Sequence, residues 1–306
     1  MADAGEAGSS GTQEVIPLFP LETPLFPGVV LPLQIFEPRY RRLVADLTTR
    51  PEGDSRRFGV VAIRQGWEVE RVAPAEALFD VGCTAVLRMV APQRDGGYRV
   101  AAVGDARFRL LDVLVPSVDA DEHSDEPPYL QALVEWLAEE EAAEEAAGDA
   151  GELVGADAAA GLVPDEVVTE VARGSLDLLA SNVRDLFARY VTDVAVRQSG
   201  APEGLPDEVL DALSPEDLPE DEAAGELAAA AALLREVSDD ARGLSYLVAS
   251  SALLTTEDRQ ALLAESATRR RLAMEMRLLR RELTLLRALG AVPVPLRQFA
   301  TPMTAN

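Results

Sequence analysis

Apolar positions along this chain change their spacing near its middle. From Glu14 to Val115 they recur at every second residue or in short unbroken runs; from Asp165 onward they recur at three and four. The first half therefore reads as strands. Val15–Leu21 is extended, but Pro17 and Pro20 cannot donate to a ladder, which places it at a sheet edge or in broken pieces. Phe26-Pro27-Gly28 reads as a turn, with Pro27 setting φ and Gly28 taking a positive φ. Val29–Phe36 alternates, with Val29, Leu31, Leu33 and Ile35 on one face. Pro38 suits a first helical position, and Tyr40, Leu43, Val44 and Leu47 give that helix one apolar face. Phe58–Ile63 is the next strand. Val81, Cys83, Ala85, Leu87 and Met89 form one side of a further one. Asp95-Gly96-Gly97 marks a hairpin. The returning strand, Tyr98–Val103 and Arg107–Val115, is interrupted at Gly104-Asp105, where a bulge or bend is expected.

Tyr129–Leu137 fits a strand or a helix equally well. After it come an acidic run, Glu139–Glu145, and Ala/Gly-rich text that reads as a linker. Asp165–Arg197 has helical periodicity, with Gly174 as a candidate break. Ala223–Val237 and Ala241–Leu254 read as shorter helices. A long helix is expected from Thr255 or Thr256 to Gly290, with Leu262, Ala273, Met276, Leu279, Leu283, Leu286 and Leu289 as its stripe. The expected fold class is α+β: a small, mostly antiparallel β-barrel-like domain, then a helical bundle with one long C-terminal helix. The boundaries that follow are a disordered start at 1–13, the β-domain at 14–137, a linker at 138–164, the bundle at 165–290 and an extended tail at 291–306.

Composition narrows the chemistry more than any motif does. All 28 basic residues are Arg, against 53 acidic ones, for a net charge of -25. Without Lys these residues cannot build a GxxxxGK[ST] phosphate loop, a Ser-Lys dyad, a Schiff base or a β3-Lys kinase site. With one His and one Cys, His123 and Cys83, they cannot build a zinc finger or an internal disulfide. The excess of acid opposes binding of nucleic acid by the whole chain. No apolar stretch reaches membrane-spanning length and no signal peptide opens the sequence, so a cytoplasmic location is expected.

Pro17–Tyr40, PLFPLETPLFPGVVLPLQIFEPRY, resembles the opening of the Lon amino-terminal, or substrate-binding, domain. Similar segments follow in order: Phe58-Gly59-Val60-Val61, Val81-Gly82-Cys83-Thr84-Ala85, Asp95-Gly96-Gly97-Tyr98, and Val103–Phe108 with its GxxRF text. Leu253–Leu283, with Asp258–Leu263 and Arg270-Arg271-Leu272, is similar to the family's helical bundle. The resemblance runs from about Glu14 to Gly290. It implies a PUA-like, peptidase S16-like module of the stand-alone bacterial form, since the Lys-dependent ATPase and protease sites of full Lon proteases are missing.

The resemblance implies a non-catalytic protein- or peptide-binding module for apolar or unfolded segments. The candidate contacts are Leu25, Phe26, Pro27, Phe36, Arg39 and Tyr40. For most of these the competing reading is core and turn packing, and for Arg39 an ion pair with Glu37. Arg270, Arg277 and Arg281 share one face of the last helix, a second candidate surface through which the chain would regulate a protease or other cytosolic complex. A carboxylate-dependent hydrolase using Asp119 and Glu122 is the enzymatic alternative. His123 among its acidic neighbours reads as solvated loop rather than metal site, and Cys83 as a small buried apolar residue. No cofactor and no metal are expected. The expected partners are protein or peptide segments, with homo-oligomerisation left open and neither nucleic acid nor membrane.

Overall fold

The computed structural model describes residues 13–53, 55–64, 75–117, 126–138, 165–198 and 240–289. The strands are β1 (Gln13–Leu21), β2 (Val30–Ile35), β3 (Arg57–Ala62), β4 (Val81–Pro92), β5 (Tyr98–Leu114) and β6 (Gln131–Trp136). The helices are α1 (Pro38–Thr48), α2 (Asp165–Gln198), α3 (Ala241–Ser251), α4 (Thr256–Ala264) and α5 (Thr268–Leu289). The acidic loop with His123, Asp119 and Glu122, the linker after Glu139, the helix expected at Ala223–Val237 and the tail lie outside the described residues.

The strands form one mixed sheet in the order β2-β5-β4-β3-β1-β6, and β6 pairs again with β5. β5 makes this return possible by its length. Its first half lies between β2 and β4, and from Phe108 onward it pairs with β6. Five strands thus close a cycle of pairings while β2 stays outside it, so the sheet is barrel-like without being a clear barrel. Every pairing is antiparallel except β1 with β3.

β1 lies between β3 and β6 in the strand order but is paired in two pieces, the second of the two forms its prolines led one to expect. Gln13–Pro17 pairs with β6 and Leu18–Leu21 with β3. Each half of the strand is paired on one side only, and Pro17 sits at the changeover, where a missing donor costs the ladder little. β6 resolves the ambiguity at Tyr129–Leu137 in favour of a strand. The expected irregularity at Gly104 is present as a register shift between Cys83 and Ala85, whose partners are Arg107 and Gly104. There the buried Thr84 hydroxyl both donates to Ala106 O and accepts from Ala106 N at 3.1 Å. Pro38 opens α1, and Tyr40, Leu43, Val44 and Leu47 are its buried face. The Tyr40 ring stacks on Phe19 at 4.1 Å.

The chain divides into two units, Met1–Glu139 with Thr256–Ser266, and Glu140–Thr255 with Ala267–Asn306. In the first, Ile16, Leu18, Val61, Leu78, Phe108, Leu130, Ala132 and Val134 form a core cluster. The long C-terminal helix of the sequence reading is two helices, and α4 belongs with the sheet: Gln260 donates to Val81 O at 2.7 Å. The break follows from a buried arginine described below. In the second unit α2, α3 and α5 pack around Val183, Phe187, Leu244, Val248, Leu272, Leu279 and Leu286. α2 runs unbroken through Gly174.

Candidate functional site

The opening segment sends its side chains in two directions. Leu25, Phe26 and Tyr40 are buried, at 4%, 1% and 8% exposure, and present no surface to a ligand. Pro27 is half-buried in the turn. Arg39 pairs with Glu37 at 2.8 Å and lies 4.7 Å over the Tyr40 ring. Phe36 is 73% exposed, although it follows the buried Ile35. β2 explains this by its alternation: Leu31, Leu33 and Ile35 turn inward to varying depth, while Val30, Pro32, Gln34 and Phe36 face out.

β5 and β4 extend that outer face. The cross-strand rows are Pro32–Ala101–Met89 and Gln34–Arg99–Ala91. Met89 is 52% exposed, although period-two alternation from Val81 assigns it to the buried set. A register shift between Leu87 and Met89 inserts Arg88 as an extra residue, and one extra residue sends every later side chain to the other face. Val30, Pro32, Phe36 and Met89 are therefore exposed apolar residues of one face, with the Gln34–Arg99–Ala91 row lying between Phe36 and the Pro32–Ala101–Met89 row. Val30 and Pro32 were legible as the outer half of the β2 alternation; Met89 and Arg88 were not, because the bulge has no composition signature.

The two most specific sequence segments also meet in space. The Pro-Gly turn docks on β5 through Gly28 N to Gly104 O at 2.8 Å, and Gly104 N returns to Val29 O at 2.9 Å. The Phe26 carbonyl occupies the space that a Cβ on residue 104 would need. Beside it, the buried Arg107 guanidinium donates to Leu263 O at 2.8 Å, Glu265 O at 3.0 Å, and Ala138 O and Ser266 Oγ at 3.3 Å. It thereby takes up carbonyls released where α4 ends, which is why the last helix divides there. Phe108 follows, its ring filling the space over Gly59 and Gly82.

The family model of the ATP-dependent protease La (LON) substrate-binding domain matches residues 15–281, which include these segments. The chain belongs to the LON substrate-binding domain family. It is 25% identical over 277 residues to Lon protease 1 of Herpetosiphon aurantiacus, covering 89% of this chain and 24% of that protein. It is 32% identical over 143 residues to Lon protease 2 of Syntrophobacter fumaroxidans, covering 46% of this chain and 16% of that protein. The chain thus spans a quarter or less of the length of these relatives. Among solved structures it is similar to a Lon N-terminal domain protein from Xanthomonas campestris, with TM-score 0.43 and 19% identity over 92% of this chain and 99% of that one. It is also similar to the N-terminal domain of the Mycobacterium avium complex Lon protease, with TM-score 0.42 and 14% identity over 87% and 98%.

As a LON substrate-binding domain the chain is a substrate-binding module, and its 306 residues contain no Lys for a Walker or Ser-Lys site. Among the described residues no group of His, Cys, Asp or Glu could hold a metal ion, and no helix is long and apolar enough to cross a membrane. Cys83 is fully buried, and burial pushes its thiol up, so it stays protonated and unreactive. Arg270, Arg277 and Arg281 are all exposed on α5, and Arg281 pairs with Glu282 at 2.7 Å. Arg270 lines a groove of about 410 Å³ with Arg269, Leu178 and Asn182. One polar feature was missed by the sequence reading. Arg271 is fully buried, with its guanidinium 4.1 Å over Tyr246 and its Nε donating to Ser245 Oγ at 2.8 Å. One turn on, Glu275 is buried with both carboxyl oxygens unpartnered, and desolvation pushes its carboxyl well above the ordinary range against a weaker opposing pull from Arg271.

Proposed function

We propose that this chain binds polypeptide segments by laying their apolar side chains on the β2–β5–β4 face around Phe36. The observation that carries this reading is a phenylalanine 73% exposed on the same face as the exposed Val30, Pro32 and Met89, in a sheet whose other large side chains are mostly core. An apolar patch rimmed by charge is the usual form of an interaction surface. Covering Phe36 and Met89 with apolar peptide side chains removes enough area to supply about 2–4 kcal/mol.

The test is fluorescence anisotropy of a labelled, permanently unfolded polypeptide against the full chain and against Phe36→Ser and Met89→Ser. Both residues are exposed, so both variants keep the thermal unfolding midpoint. Each is expected to weaken binding by about tenfold, from loss of one buried apolar side chain. Unchanged affinity in both removes this face from the site. A second reading, docking of an acidic partner on α5, is favoured by Arg277, which is exposed and engages no ion pair among the described residues. Loss of such a partner on Arg277→Ser, with peptide binding intact, would support it.

A further inference from the structure

The charge around the β2–β5–β4 face runs against that of the chain. The whole carries -25, yet residues 29–41 and 86–103, which build the face, hold five arginines (Arg39, Arg41, Arg88, Arg94, Arg99) against two acids (Glu37, Asp95). That is a local excess of three positive charges. Arg39 is spent on Glu37. Arg88, Arg94 and Arg99 are exposed and make no hydrogen bond or ion pair among the described residues. They lie along or next to the face that carries the exposed apolar residues. Arg99 lies one row from Pro32–Ala101–Met89 on the same face, Arg88 is the bulge residue next to Met89, and Arg94 sits in the β4–β5 hairpin, whose Gly96 turns with φ 81°. Among the described residues, these three guanidinium groups on or next to the apolar face have no carboxylate partner.

We infer that this face selects extended polypeptide segments that carry, along one side, a carboxylate between two apolar residues, at i, i+2 and i+4; this rests on the peptide-binding reading above. The order follows from the sheet, because side chains two apart share a face and the Arg99 row lies between Phe36 and the Pro32–Ala101–Met89 row. The two apolar side chains meet Phe36 and Pro32–Met89, while the acid between them reaches Arg99, with Arg88 and Arg94 nearby in the chain. Guanidinium groups also make bidentate contacts with carboxylates. The excess negative charge of the chain as a whole opposes acidic segments at its acidic surfaces.

Recognition is by side chains and not by adding a strand to β2. Gly104 N donates to Val29 O, so in an antiparallel ladder Leu31, Leu33 and Ile35 turn their peptide groups toward β5, and Val30, Pro32 and Gln34 turn theirs outward. Pro32 thus removes the central donor from the free edge, a device that blunts strand addition. Nucleic acid fits less well. Phe36 is the one exposed aromatic ring of the face, where a single-strand platform stacks successive bases, and the net charge opposes a polyanion.

The experiment compares three labelled peptides of equal length on the full chain, each with Leu or Phe at i and i+4, Glu, Ser or Arg at i+2 and Ser between, and adds a single-stranded oligonucleotide as competitor. The Glu peptide is expected to bind about tenfold tighter than the Ser peptide at low salt, an advantage that fades at high salt as the charges are screened. The Arg88→Ser, Arg99→Ser double variant is expected to weaken the Glu peptide about fivefold and leave the Ser peptide unchanged, as two exposed ion pairs would. Equal binding of Glu and Ser peptides, or equal loss of both in the double variant, overturns the charge selectivity and leaves peptide binding standing. A failure of every peptide to bind, or Phe36→Ser leaving all affinities unchanged, overturns the peptide-binding reading itself. Displacement of the Glu peptide by oligonucleotide at lower concentration than by unlabelled Glu peptide overturns the inference in favour of nucleic acid.

Discussion

Gly104 and Gly174 show how differently one residue type is used in this chain. At Gly104 the Phe26 carbonyl stands where a Cβ would be, and the Leu25 side chain is 3.3 Å away. Backbone cannot yield as a flexible side chain can, so Gly104→Ala must move the Pro-Gly turn off β5. A loss of about 3 kcal/mol or more is expected, comparable to severe overpacking of a core, read as a fall in the urea midpoint. At Gly174 nothing lies within 4 Å, and the residue sits inside α2. Gly174→Ala is expected to stabilise by about 0.5–1 kcal/mol, by restricting the unfolded chain and favouring helix. Both glycines look alike in the sequence, where Gly174 reads as a break. Only the position of Phe26 distinguishes them. The same holds for the candidate contacts. Phe26 and Phe36 are equally apolar text, and one is core while the other is surface.

At the scale of elements, α5 carries a conflict that its sequence pattern hides. Of its expected stripe, Leu279, Leu283 and Leu286 are buried, Ala273 and Met276 are half-buried and Leu289 at the helix end is 70% exposed, while Leu272, Arg271 and Glu275, outside that stripe, are buried. Arg271 is provided for by Ser245, Thr268 and the Tyr246 ring. Glu275 has no such partners. Its folded-state carboxyl is raised above the unfolded value, so the stability it contributes is complete below the unfolded value near pH ~4 and is lost as pH rises through the folded one. Glu275→Gln removes the ionisation and keeps the shape. Chemical denaturation is expected to show the Gln variant more stable than the parent at about pH 8 and equal to it at about pH 4. A variant less stable by the same amount at both values would mean that the carboxyl is folded as an ion with Arg271. Periodicity detected the apolar face of α5 because it counts apolar positions, and for the same reason it ran α4 and α5 together as one helix. It is blind to charge buried between them, since an Arg or Glu at a stripe position looks like a solvated interruption.

At the scale of the whole molecule, the first unit is assembled from two distant pieces of chain. α4 closes it through Gln260 on Val81 O and through the Leu263, Glu265 and Ser266 oxygens that Arg107 binds. A fragment of residues 13–139 lacks all of these. It leaves the buried Arg107 guanidinium with most of its acceptors removed, and a charged group so stranded costs about 3 kcal/mol or more. The fragment is expected to unfold at markedly lower urea than the full chain by circular dichroism, and to recover when residues 256–266 are fused to it through a flexible linker. Recovery without residues 256–266 would show that Arg107 finds other acceptors. Sequence reading joined α4 to the bundle because the helical text from Thr256 to Leu289 is nearly continuous. The division at Glu265–Ala267 is decided by a partner about 160 positions earlier in the chain.

The sequence by itself determined the family, the α+β class, the Pro-Gly turn, the start of α1 and the absence of any Lys-dependent chemistry. Each of these rests on local rules: proline and glycine dihedrals, side-chain period, and which residue types exist at all. Tertiary structure decided what those rules cannot reach. It divided the pairing of β1 between β6 and β3 at Pro17, moved α4 to the strands, and used a bulge at Arg88 to bring Met89 onto the face that carries Phe36. Those outcomes depend on register and on partners far apart in sequence. A shift of one residue in a ladder exchanges core for surface without changing a single letter of the local pattern.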